Sequence, residues 1–230
     1  MIFFKNISRT IFQTVLFISL LISSLDVFSA INSPATEISF SVIKTAESSG
    51  SLEAMVVDGG GLFTVRSLIH AAVLVRHPKG DFLWDSGIGS EVESQMDVFN
   101  FFESQLFSIN NVQPARQQLE SQGYSIKNLM AIIPSHMHWD HVSGLEDFSG
   151  TSVWVQEKSY SEALNGEAPA FILSQYDSPD LKWHTLTLMD KPYRGFTKSL
   201  DIHGDGSAVL VDLSGHSHGH LGLFLIVNRV

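Results

Sequence analysis

Residues 133–144 read IPSHMHWDHVSG, which places three histidines and one aspartate within six positions. Imidazoles this crowded repel one another when protonated and leave lone pairs unsatisfied when buried and neutral. His136, His138, Asp140 and His141 therefore point to a shared metal ion. The spacing also restricts the fold. Ligands on one helix face recur every four residues, whereas the side chains of an extended segment alternate. A spacing of two puts His136, His138 and Asp140 on one side of an extended segment, with His141 offset by one. The apolar run IKNLMAII reads as a buried strand that stops at Pro134, so the ligands project from a strand tip.

A second cluster, LSGHSHGHLG, holds His216, His218 and His220, and the two stretches together take six of the ten histidines. It too follows an apolar strand, within GDGSAVLVDLSG. Two such tips can share one metal. The rest of the chain alternates strand and helix patterns. EISFSVIKTA alternates Ile38, Phe40 and Val42 on one face and reads as a strand. IHAAVLVRH and PKGDFLWDSG read as two strands joined by a tight turn at Pro78 and Gly80. NNVQPARQQLESQGY reads as a helix opened by Pro114 and ended by Gly123. TSVWVQ reads as a strand and EKSYSEALNG as a short helix. LKWHTLTL reads as a strand with Leu181, Trp183, Thr185 and Thr187 on one face, and HLGLFLIV as a closing strand. Sheets covered by helices follow, in an α/β or α+β layering.

Four histidines lie outside the clusters. His70 and His77 are expected at the core edge, His184 packed within its strand, and His203 solvated near the Asp205-Gly206 turn. Trp139 is expected to face away from the metal. VFNFFESQLF reads as core or helix packing, or alternatively as a lid over an acyl group. Asp212 reads as solvated or as a support for the second cluster.

The first thirty residues carry Lys5 and Arg9, an apolar run over 11–22 and small residues at Ser29 and Ala30. This is the layout of a signal peptide cleaved after Ser29 or Ala30, with an uncleaved anchor as the alternative. Export to the periplasm or medium is expected, with residues 31–230 as one domain and no stable membrane association after cleavage. Removing Lys5, Arg9 and Asp26 makes the chain one unit more negative than its formal −10. An acidic surface disfavours nucleic acid and leaves a small molecule as the expected partner. With no cysteine in the chain, any metal must be held by nitrogen and oxygen.

SHMHWDH resembles the His-x-His-x-Asp-His motif of the metallo-β-lactamase superfamily. FLWDSGIG resembles its earlier Asp-(Thr/Ser)-Gly strand end, and SGHSHGHLGLFL its Pro-Gly-His-Thr-Pro-Gly-His loop. The three stand in the family's order and span residues 37–230. The resemblance implies an α+β, four-layer αββα sandwich with metals at one sheet edge. It implies His136, His138 and His216 as ligands of a first zinc, and Asp140 and His141 as ligands of a second. Asp85 matches an aspartate that steadies the ligand loop without touching metal. His220 matches a histidine that is usually not a ligand, and His218 has no counterpart. The family's bridging aspartate and last histidine have no match after His220, so the resemblance reads the chain as C-terminally truncated, with one or two zinc ions.

The expected chemistry is hydrolysis by a zinc-bound hydroxide, formed because the metal lowers the pKa of its water to about 7. Asp140 is expected to orient the hydroxide and pass a proton to the leaving group. A lactone or ester is the favoured substrate, on the likeness of GHSHGHLGLFL to the lactonase-type branch. A β-lactam, or a non-catalytic metal-binding role, is the alternative.

Overall fold

The Ile126–Ile133 run leaves a short 3₁₀ turn at Ile126–Asn128 and enters strand β5, Leu129–Ile133, in which only Met130 is not fully buried. A strand this uniformly apolar needs cover on both faces, and the computed structural model, which describes residues 37–227, supplies it. The signal-peptide expectation lies outside those residues. No helix among them is long and apolar enough to cross a membrane.

The strands before β5 are β1 (Ser39–Leu52), β2 (Val65–Arg76), β3 (Asp81–Trp84) and β4 (Ile109–Asn110); those after it are β6 (Ser152–Gln156) and β7 (Lys182–Leu186). They form one seven-stranded sheet in the order β4-β1-β2-β3-β5-β6-β7. β1, β2 and β3 run antiparallel, and β3, β5, β6 and β7 run parallel. The last three strands, β8 (Ser199–Asp201), β9 (Ala208–Asp212) and β10 (Leu221–Leu225), form an antiparallel sheet in the order β10-β9-β8. The helices are α1 (Glu53–Val56), α2 (Val92–Gln95), α3 (Phe101–Leu106), α4 (Ala115–Ser121), α5 (Trp139–Val142) and α6 (Glu157–Asn165).

The pleat of the large sheet divides its side chains between two cores. Leu74, Leu83, Ile132 and Val153 face the helices and pack with Leu119 of α4, Val142 of α5 and Ala163 of α6. Val75, Phe82, Ala131 and Ile133 face the small sheet and pack with Ala208, Leu210 and Leu221. Helices, large sheet and small sheet are three layers of the expected α+β sandwich. Among the described residues no helix follows β7, so the outer helical layer is not among them.

β1 corrects the sequence reading. It is longer than expected, and of the three apolar residues read on one face only Ile38 is buried, while Phe40 and Val42 are exposed. The pairing with β2 slips between Lys44 and Ala46, so Thr45 is the extra residue of a β-bulge, which shifts the alternation. Thr45 is buried, and its Oγ1 accepts from the Ile88 N–H at 2.9 Å. Beyond the bulge, Ala46, Ser48 and Ser51 are the buried positions. At the start of β7, Leu181 and Trp183 share the helix-side core, and Thr185 further along is exposed.

Candidate metal centre

β3 and β5 pair in parallel, so their C-terminal ends reach the same rim, where Trp84 lies opposite Ile133. Asp85 leaves β3 with φ 56°, a left-handed backbone that aspartate and asparagine tolerate better than most residues. Its carboxylate turns onto the neighbouring loop. Oδ1 accepts from the Ser135 N–H at 2.5 Å, and Oδ2 accepts from Ser135 Oγ at 3.0 Å and His141 Nδ1 at 2.8 Å. Ser135 Oγ is also 3.0 Å from His136 Nδ1. A hydroxyl has one hydrogen. Spent on Asp85, it leaves Oγ to accept from His136 Nδ1–H, and the lone pair of His136 then resides on Nε2. That nitrogen is buried with no hydrogen-bond partner.

The segment is extended only as far as His138, which has φ −67° and ψ 150°; α5 then begins. Asp140 and His141 are therefore brought in by a helical turn, and the expected alternation through Asp140 does not hold. Asp140 Oδ2 lies 3.7 Å from His141 Nε2. Trp139 leaves the cluster and packs edge-on against Phe99 and Phe107.

The second cluster is stitched to the first through the backbone. The Leu221 N–H donates to the Ser135 carbonyl at 2.8 Å. Gln156, at the end of β6, donates from Nε2 to the Gly219 carbonyl at 2.9 Å. α6 holds the loop's outer side, where the Glu162 carboxylate accepts from the His218 N–H at 2.8 Å and lies 3.0 Å from its Nδ1. His218 is thus exposed and turned away from the cluster. Asp212 accepts from the Ser214 N–H at 3.0 Å and pairs with Lys158 at 3.4 Å, shaping the loop's start.

Across the two loops, His136, His138 and His216 each offer a nitrogen, and these atoms lie within 4.8 Å of one another. His220 stands beside them, its ring 4.5 Å from that of His136. Burial, reinforced by the neighbouring His141 and His138, holds His136 far below the usual imidazole range. Burial and then His216 push His138 down to about 4. Both rings are neutral at pH 7 and present lone pairs, as metal binding requires. Burial alone would raise Asp140, but His141 and His70 outweigh it and hold the carboxyl well below its usual range. Burial alone would lower His141, but the carboxylates of Asp85 and Asp140 outweigh it and pull it up to about 9. Neutral imidazoles, an orphaned buried nitrogen and a charged carboxylate fit a divalent cation.

The cluster floors a cavity of about 460 Å³ walled by Ala54, Val56, Val57, Phe107, Pro169 and Ala170. Within VFNFFESQLF, Phe99 is buried and Phe107 lines this cavity, whereas Phe101 and Phe102 point to solvent. Three isolated histidines differ from expectation. His70 lies inside the site, with Nδ1 3.4 Å from Asp140 Oδ2. Its signal was a titratable residue on the inward face of an apolar strand, which needs a polar partner. His203 is half-buried and stacks on buried His77 at 3.7 Å. His184 is exposed and lies over Trp154 at 5.3 Å.

Residues 66–230 match the family model described as metallo-beta-lactamase superfamily. The chain is 24% identical over 163 residues to the N-acyl homoserine lactonase AttM of Rhizobium radiobacter, covering 66% of this chain and 57% of that protein. It is 28% identical over 159 residues to the N-acyl homoserine lactonase AiiA of Bacillus thuringiensis subsp. kurstaki, covering 66% of this chain and 56% of that protein. It thus spans little more than half the length of these relatives. In fold it is similar to an N-acyl homoserine lactone hydrolase solved with N-hexanoyl-L-homoserine at its catalytic metal centre (TM-score 0.61, 22% identity, 85% of this chain, 71% of that one). It is also similar to AidC, a dizinc quorum-quenching lactonase (TM-score 0.53, 14% identity, 84% and 69% covered). With the strand-end motifs in place and most of its length matched by the family model, the chain belongs to the metallo-beta-lactamase superfamily.

Proposed function

We propose that this chain carries the active site of a zinc-dependent hydrolase that opens the ring of a lactone, with N-acyl homoserine lactones as the substrate class. The observation that carries this reading is the convergence of His136, His138 and His216 at the floor of an apolar-walled cavity. The relatives' names narrow it to lactones. His136, His138 and His216 would hold one zinc, with Asp140 and His141 facing a second. When bound, zinc polarises a carbonyl oxygen and makes hydroxide available near neutral pH. Asp140, charged at pH 7, accepts a proton from water in the cavity and returns it to the ring oxygen as the bond opens. Val56, Val57 and Phe107 exclude water and offer an apolar wall to an acyl chain. By residues 1–30, we place the working protein outside the cytoplasm.

The test is ring opening of N-hexanoyl and N-decanoyl homoserine lactones by the zinc-loaded protein, beside a chromogenic β-lactam. Lactone turnover that is lost together with bound zinc in His138→Ala supports the reading. Turnover of the β-lactam alone, or zinc binding with no turnover of either substrate, overturns it.

A further inference from the structure

His70 reaches the site at Asp140, whereas Asp85 reaches it at Ser135 and His141. It lies on β2, paired with Ala46 just beyond the β1 bulge. By alternation it shares the helix-side face with Ala72 and Leu74, both fully buried. A histidine buried there is costly unless both ring nitrogens find partners, and both do. Nδ1 lies 3.4 Å from Asp140 Oδ2, and Nε2 lies 3.2 Å from Ser48 Oγ. Ser48 is itself buried, 2% exposed. One neutral tautomer satisfies the whole arrangement: Ser48 Oγ–H donates to Nε2, and Nδ1–H points at the carboxylate.

Asp140 Oδ2 is also the oxygen that faces His141 Nε2, and His141 Nδ1 is held by Asp85. A single row therefore runs from Ser48 through His70, Asp140 and His141 to Asp85. Its two ends are anchored in different strands, β1 and the end of β3. The terminal torsion of an aspartate is soft, so a carboxylate that must grip a cation in one orientation gains from a donor fixed behind it.

We propose that His70 is a positioning residue: its Nδ1–H, braced by Ser48, orients the Asp140 carboxylate for cation binding beside His141. This rests on the reading of Asp140 and His141 as cation ligands, and the experiment separates the two claims.

The metal-free full chain is titrated with Co(II), and the visible absorption of the ion reports two successive binding events. His70→Ala is expected to weaken the second event by about 10- to 100-fold and leave the first unchanged. His70→Asn is expected to restore most of the affinity, because its amide nitrogen takes the place of Nδ1. Ser48→Ala is expected to shift the second event the same way by less. Asp140→Asn is the control for the underlying reading. If the wild type takes up one cation only, or if Asp140→Asn leaves the second event unchanged, the ligand reading falls and this inference with it. Loss in Asp140→Asn with wild-type behaviour in His70→Ala overturns the positioning role alone. So does a His70→Ala variant in which both events weaken together, or a His70→Asn variant no better than Ala.

Discussion

Asp85 reaches three donors with two oxygens, and two of them belong to Ser135, whose hydroxyl in turn fixes the ring of His136. One side chain thus sets the shape of the ligand loop and the free nitrogen of a ligand. Asp85→Ala would leave the buried Ser135 N–H without its acceptor and put alanine at a positive φ. The two effects together cost roughly 2–5 kcal/mol. Asp85→Asn should cost less, since asparagine keeps an acceptor oxygen and tolerates this backbone. Urea unfolding of the metal-free proteins measures both, and equal losses would remove Asp85 from this role. Much of the site was legible at this scale because the motifs are local: spacing marked the two histidine clusters, and the family resemblance singled out His136, His138 and His216 within them. His70 was not legible. Its partners, Ser48 and Asp140, are distant in sequence and meet it only through the sheet.

At the scale of elements, the loop after β3 and the loop after β5 are pressed together. The Gly144 N–H donates to the Gly87 carbonyl at 3.0 Å, and Ser86 Oγ donates to the His141 carbonyl at 3.0 Å. Gly89 lies against the same segment. A Cβ there would fall 2.5 Å from the Ser143 carbonyl oxygen and 2.6 Å from Gly144 Cα, both backbone atoms. Gly89→Ala should therefore part the two loops, costing about 1–3 kcal/mol and weakening zinc retention against a chelator. Unchanged melting and zinc retention would show that the contact relaxes freely. The existence of the strands in this region followed from the sequence, because apolar runs and turn residues mark each one. The bulge at Thr45 did not, since a register slip depends on the partner strand. Phe40 and Val42 precede the bulge and keep the face they share with Ile38; they stand in solvent because the small sheet does not cover that end of β1.

Across the whole described region, the small sheet covers only part of the large one. Alternation puts Phe40, Val42 and Ile69 on the face that β8–β10 cover elsewhere, yet these three are 51%, 64% and 68% exposed. Leu210, on the same interface, is fully buried. Val42→Thr should change stability by no more than about 0.5 kcal/mol, whereas Leu210→Ala should cost about 2–5 kcal/mol. Denaturant unfolding of the pair checks this, and a large loss in Val42→Thr would mean that the strip is covered. The layered fold was readable from the alternation of strand and helix patterns; the extent of overlap between the sheets was not, because it depends on where strands far apart in sequence come to rest.

The cavity's walls come from three short rim segments, near Val56, Phe107 and Pro169, while its floor is set by strand ends locked into the core. What the protein accepts and how it grips its ion are thus written in separable parts of the chain. A lineage could exchange these rim pieces, and with them its diet of substrates, while inheriting the ion-holding floor intact.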